Sequence, residues 1–301
     1  MPRIVRDIQL LVNDDDDHLY GYRLSDGTEV RIGTSRPDNA TAVVGVAIAG
    51  GAQAKRVGTR VMSTVPGIVT NQFDRTGLVA GRLAAPFEAI RLLFINGSAN
   101  NCVNIKWAVS ALPLGFDHTS RAAWNNNSGT WTSGTISTTA PASAANPTIT
   151  ATPWVELDGE SACFSARVYI PSSGNTDATI AVNYKGNADA GGEAFASLSG
   201  DEWIMSSGTA GDHIANIAGM TSTANAAWGF IAGVQYRCKT GGVVTVMGGG
   251  DSIMHGTYGD IQGNSYWTKA VRALKQAGRR IEQANFGWSG QTTTTYSARM
   301  S

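Results

Sequence analysis

The stretch from 243 to 285 constrains this chain more than any other. Val243-Val244-Thr245-Val246-Met247 is an apolar run of the kind found in a strand buried on both faces. Gly248-Gly249-Gly250-Asp251-Ser252 follows it. Between 265 and 277, Trp267, Ala270, Val271 and Leu274 fall at i, i+3, i+4 and i+7, the spacing of a helix with one apolar stripe. Asn264 or Ser265 can cap its start. Gly278 stands where a helix commonly ends in left-handed backbone. Arg279 to Asn285 can return as a second strand. Strand, loop, helix and strand in this order imply a parallel sheet, because parallel neighbours need a crossover connection.

The rest of the chain reads as β. Ile8 to Val12, Leu19 to Leu24 and Thr28 to Ile32 form a predicted meander, with Ser25-Asp26-Gly27 as a tight turn. Three short strands bury little surface, so this unit is expected to need a partner. The aspartates Asp14 to Asp17 lack the alternating ligands, central Gly and distal Glu of an EF-hand loop, and read as a solvated turn. From about 61 to 240, candidate strands include 89–95, 103–109, 166–170 and 179–184. Turn clusters such as Asn96-Gly97 separate them, which predicts a sandwich or jelly roll. The Ser-, Thr-, Asn- and Ala-rich stretch 119–150 reads as a long loop or a decorated edge. The expected fold class is thus mainly β, divided into a meander (1–35), a connector (36–60), a β-sandwich (61–240) and the start of an α/β domain (241–301).

A Ser in a Gly-rich turn just after a buried strand is a plausible nucleophile. The strand fixes its position, and the glycines let the backbone turn and a substrate approach. Residues 243–256, Val-Val-Thr-Val-Met-Gly-Gly-Gly-Asp-Ser-Ile-Met-His-Gly, resemble the first block of the SGNH (GDSL-type) serine hydrolases. After the helix, Asn285-Phe286-Gly287-Trp288-Ser289-Gly290-Gln291-Thr292 is similar to that family's second block. The resemblance implies a flavodoxin-like α/β domain with Ser252 as nucleophile, Asp251 in support, and the amides of Ser252 and Gly290 as oxyanion donors. It covers 243–297. The family's third block, Gly-x-Asn-Asp, and its last, Asp-x-x-His, lie C-terminal to the second, and neither occurs before Ser301. None of His18, His118, His213 and His255 stands where the family base does. The expectation is therefore either a serine esterase whose chain continues beyond Ser301 or an inactive remnant.

The N-terminal segment carries a second likeness. Ile4 to Asn13, Gly21-Tyr22-Arg23 and Asp26 to Val30 resemble the start of bacteriophage tail fibre and tailspike proteins. That resemblance implies a homotrimer, attachment to tail or baseplate proteins through residues 1–33, and a host surface polysaccharide as target. Two other readings stand beside it: a non-enzymatic trimeric adaptor or receptor-binding fibre, and a free-standing bacterial carbohydrate esterase.

Charge narrows the partners. The chain has 301 residues, with 23 Lys+Arg against 23 Asp+Glu, and offers no basic footprint for nucleic acid. The N-terminus has no apolar signal core, and no run reaches the length of a membrane span. Synthesis in the cytoplasm, assembly into a virion tail and no membrane insertion are expected. No metal or nucleotide motif is present, so no cofactor is expected. Cys102, Cys163 and Cys238 are widely spaced and read as buried free thiols. The tryptophans of the β region read as core or interface rather than sugar platforms.

Overall fold

A computed structural model describes residues 8–12, 19–23, 29–33, 57–61, 66–67, 73–114, 130–142, 147–175, 181–183, 203–205, 209–215, 228–229, 231–250, 270–271, 273–275 and 277–287. The chain is mainly β, as its sequence predicts. It forms two compact units, 1–54 and 55–301.

The first unit is the expected meander. β1 (Ile8–Val12), β2 (Leu19–Arg23) and β3 (Glu29–Gly33) form one antiparallel sheet in that order. Ile8 faces Arg23 and Val12 faces Leu19. The acidic run 14–17 lies outside the described residues.

The second unit is a sandwich of two sheets. Its six-stranded sheet centres on β6 (Arg75–Arg82), β12 (Cys163–Ile170) and β8 (Cys102–Ala111). β9 (Thr132–Thr138) closes one edge; β14 (Trp203–Met205) and β15 (Thr209–Ala210) share the other. The seven-stranded sheet begins with β10 (Thr148–Ala151) and β11 (Val155–Gly159), both on β7 (Phe87–Asn96). It continues through β17 (Gly233–Cys238), β4 (Val57–Val61), β19 (Ile281–Gly287) and β18 (Val244–Gly250). A small third sheet joins β16 (Trp228–Gly229), β13 (Ala181–Asn183) and β5 (Pro66–Gly67).

One apolar core lies between the two large sheets. Ile90, Leu92 and Phe94 of β7 and Val234 of β17 meet Phe164 and Val168 of β12 and Trp107 of β8. Each such side chain, fully buried, contributes roughly 1.5–3 kcal/mol. Three aromatic rings of this core face a glycine across the ladder: Tyr236 opposite Gly58, Phe87 opposite Gly159, and Trp107 opposite Gly134. A Cβ on any of these glycines would come within 3.0 Å of the ring facing it. The rings lie over the bare backbone of the neighbouring strand.

Several expectations from the sequence are corrected. The stretch 119–150 contains β9 and most of β10, both edge strands, so it is a sheet edge and not one long loop. The connector 36–60 ends in β4, an interior strand of the seven-stranded sheet. That sheet also runs unbroken across residue 240, because β17 and β19 both pair with β4. β18 extends through Gly248, Gly249 and Gly250, which read from sequence as a turn. Met247 is 54% exposed, so β18 is not buried on both faces; Val246 alone of its apolar run is buried, against Val271 of the crossover.

The crossover is helical at 270, 271 and 273–275, and Val271 is buried as its spacing predicts. Leu274 departs from that stripe at 45% exposure. Gly278 ends the helix at φ +77°. The Gly278 amide donates to the Lys275 carbonyl and the Arg279 amide to the Leu274 carbonyl, the paired bonds of a Schellman cap. All three cysteines are buried and outside any disulfide, and burial pushes the Cys102 thiol up to about 12.

Candidate active site

Ser252, Asp251 and Gly290 lie outside the described residues, as does His255. The strands that lead to them are described. β18 and β19 run parallel in unbroken register from Val244↔Ile281 to Gly250↔Gly287. Their C-terminal ends therefore finish level on one edge of the sheet. Ser252 follows two residues after Gly250, and Gly290 three residues after Gly287. The carboxyl edge of a parallel sheet is where open α/β folds gather ligand-binding loops. β4 points the same way, since it pairs parallel to β19 at Val61↔Ala284.

Asn285, the first residue of the second block, has a visible task. It is 1% exposed, and its Oδ1 accepts the Gly287 amide at 2.8 Å. A side chain that captures an amide two residues on shapes the backbone as a turn does. It thereby fixes the backbone at the C-terminal end of β19.

The opposite end of β19 is fixed by a buried polar network that sequence reasoning missed. Glu282 is fully buried, and its Oε1 accepts the Ala84 amide at 2.6 Å and the Tyr236 hydroxyl at 3.0 Å. Lys275 of the helix reaches its Oε2 at 3.1 Å. Burial, and then the charge of Glu282, holds the Tyr236 phenol well above its usual range, so it stays a neutral donor. A lone Glu in a strand gives no sequence signal for this, because two of its partners lie far off in the chain.

Of the histidines, only His213 is described. It sits beside β6 in the six-stranded sheet, with its amide on Thr76 Oγ1 and its Nε2 2.9 Å from the Ala210 carbonyl. Trp107 is core, as expected. Trp131 lies 3.7 Å beneath the Arg167 guanidinium, and Trp154 lies under Arg91 and Arg237. Arg167 is 2% exposed and donates to the His213 and Ile214 carbonyls; burial brings its pKa down to about 10.

Among the described residues, no group of three or more His, Cys, Asp and Glu side chains is placed to hold a metal ion. No helix among them is long and apolar enough to cross a membrane. The chain matches no family model and no curated protein.

Proposed function

We propose that residues 243–297 are the opening part of an SGNH-type serine esterase, with Ser252 attacking an acyl ester of a host surface polysaccharide. One observation carries the reading: the parallel register that ends β18 and β19 level at Gly250 and Gly287. A nucleophile and an oxyanion donor must converge on one carbonyl within about 3 Å of each other's reach. Level ends of adjacent strands start the two loops side by side, which supports such a convergence. In this scheme Ser252 Oγ gives its proton to the base and bonds to the acyl carbon, and the Ser252 and Gly290 amides hold the resulting oxyanion while Asp251 supports the turn; collapse breaks the ester C–O bond, the sugar oxygen leaves with that proton, and water then releases the acyl group as the acid and restores Ser252. The mechanism also needs a histidine base with its acid and a further oxyanion Asn, which the resemblance puts C-terminal to the second block.

The test is a fluorophosphonate probe on the full-length protein, read by peptide mass. An adduct on the Ser252 peptide that vanishes in Ser252→Ala is expected. A folded protein that carries no adduct there overturns the esterase reading.

A second reading is supported by the separate unit at 1–54. Its only described structure is a three-stranded sheet, too small to be stable without a partner. This fits a tail-attachment module of a trimeric phage fibre, located in the virion tail, whose head binds receptor without hydrolysis. Light scattering on the full chain distinguishes a trimer from a monomer, and a stable monomer removes this reading.

A further inference from the structure

We propose that a pocket at the N-terminal edge of β18 and β19 binds the oxyanion group, carboxylate or phosphate, of a small ligand through Arg82 and Arg279. The pocket has a volume of about 370 Å³, the size of a small-ligand site. Three segments wall it: the β6–β7 turn at 82–86, the β11–β12 turn at 160–162, and the helix end with Lys275 and Arg279. It lies at the end of β19 opposite to Gly287. Seven residues of strand at about 3.3 Å each put it on the order of 20 Å from the edge that leads to Ser252.

The charges around it are unequally committed. Lys275 is bound to buried Glu282. Glu160, the pocket's carboxylate, is held by Lys239, which also holds Asp158. Hydrogen bonds to Asp158 and then Glu160 hold the Lys239 ammonium above its usual range, outweighing the opposing effect of burial. Arg82 and Arg279 are left: neither makes an ion pair or a side-chain hydrogen bond among the described residues; Arg279 is exposed and Arg82 half-buried. Two unspent guanidinium groups on one pocket form a receptor for an oxyanion, because each offers a planar fork of donors and is always charged.

Two backbone amides of the lining are already committed. The Leu83 amide is spent on the Ala162 carbonyl and the Ala84 amide on Glu282. The helix end would repel an anion through exposed carbonyls. Here the carbonyls of Leu274 and Lys275 are closed by the Arg279 and Gly278 amides. Among the described residues no aromatic side chain lines the pocket, so none of them offers a neutral sugar a stacking surface.

The test is equilibrium dialysis of the full chain with labelled inorganic phosphate and with glucuronate, at fixed ionic strength, with glucose as control. Saturable binding of one or both anions is expected, and none of glucose. Arg279→Gln, at an exposed position, and Arg82→Gln should each weaken binding at least about fivefold with unchanged circular dichroism. Preference for phosphate or for glucuronate identifies the source of the oxyanion, and either result supports the site. Failure of both anions to bind, or equal binding by wild type and both variants, overturns it. The result is independent of whether Ser252 reacts with a fluorophosphonate.

Discussion

The two ends of the seven-stranded sheet are held by different physics. At the antiparallel end, β7 and β17 press Ile90, Leu92, Phe94 and Val234 into the large core. At the parallel end, β4, β19 and β18 have two small clusters, Val246 with Val271 and Val61 with Leu93 and Ala284. There the fixing element is Glu282 with Ala84, Tyr236 and Lys275. The first end depends on area, which accumulates residue by residue and tolerates partial loss. The second depends on partners that must all be present, because a buried charge with one partner missing is costly.

The sharpest way to break the contrast is from the apolar side. Phe94→Ala should cost about 3–5 kcal/mol, seen as a lower urea midpoint for the whole second unit. Glu282→Ala should cost roughly 3 kcal/mol, with amide exchange rising first across 270–287 while β7, β8 and β12 keep their protection. Replacing Glu282 and Lys275 together by Met should recover most of that loss. If the double variant stays as unstable as the single one, the network is not a charge-pairing device. A smaller effect of opposite sign is expected at Ala162, which sits at φ +59° in the β11–β12 turn. Ala162→Gly relieves a left-handed alanine and should raise stability by about 1 kcal/mol in denaturant titration.

The smallest effect concerns acid. Hydrogen bonds from the Ser172 side chain and amide, and from the Tyr169 hydroxyl, hold the Asp74 carboxyl below its usual range. A carboxylate depressed in the folded state stabilises it above the unfolded pKa, and that contribution is lost as pH falls through the folded value. Asp74→Asn should therefore show a shallower loss of stability between neutral and strongly acidic solution. Urea midpoints of the two proteins across that range check it.

Legibility in the sequence follows the same division. β1, β7, β8 and β12 were readable because apolar residues recur along them between turn residues. β4, Val57-Gly58-Thr59-Arg60-Val61, was not. Its interior positions are a glycine that admits the Tyr236 ring and an arginine 1% exposed whose guanidinium bonds the Arg82 carbonyl. Neither carries the apolar signature of a buried strand. β9 was hidden in the same way, since Gly134 reads as a turn residue but faces Trp107. At the candidate active site, the paired strands and the capped helix were legible from period and glycine placement. The Glu282 network was not, because its Ala84 partner is 198 residues away.

The central place of β4 has a consequence for the order in which the protein can be assembled on the ribosome. β4 is the first strand made in the second unit, yet both its neighbours, β17 and β19, come near the end of the described chain. Thr59 meets Gln235 across 176 residues and Thr245 across 186. At roughly 5–20 residues per second, translation leaves β4 without these neighbours for about ten seconds or more. The sheet therefore closes late and through distant contacts, which makes folding slow. The glycine and the arginine that disguise β4 in the sequence also leave it a poor strand for sticking to the wrong partner while it waits.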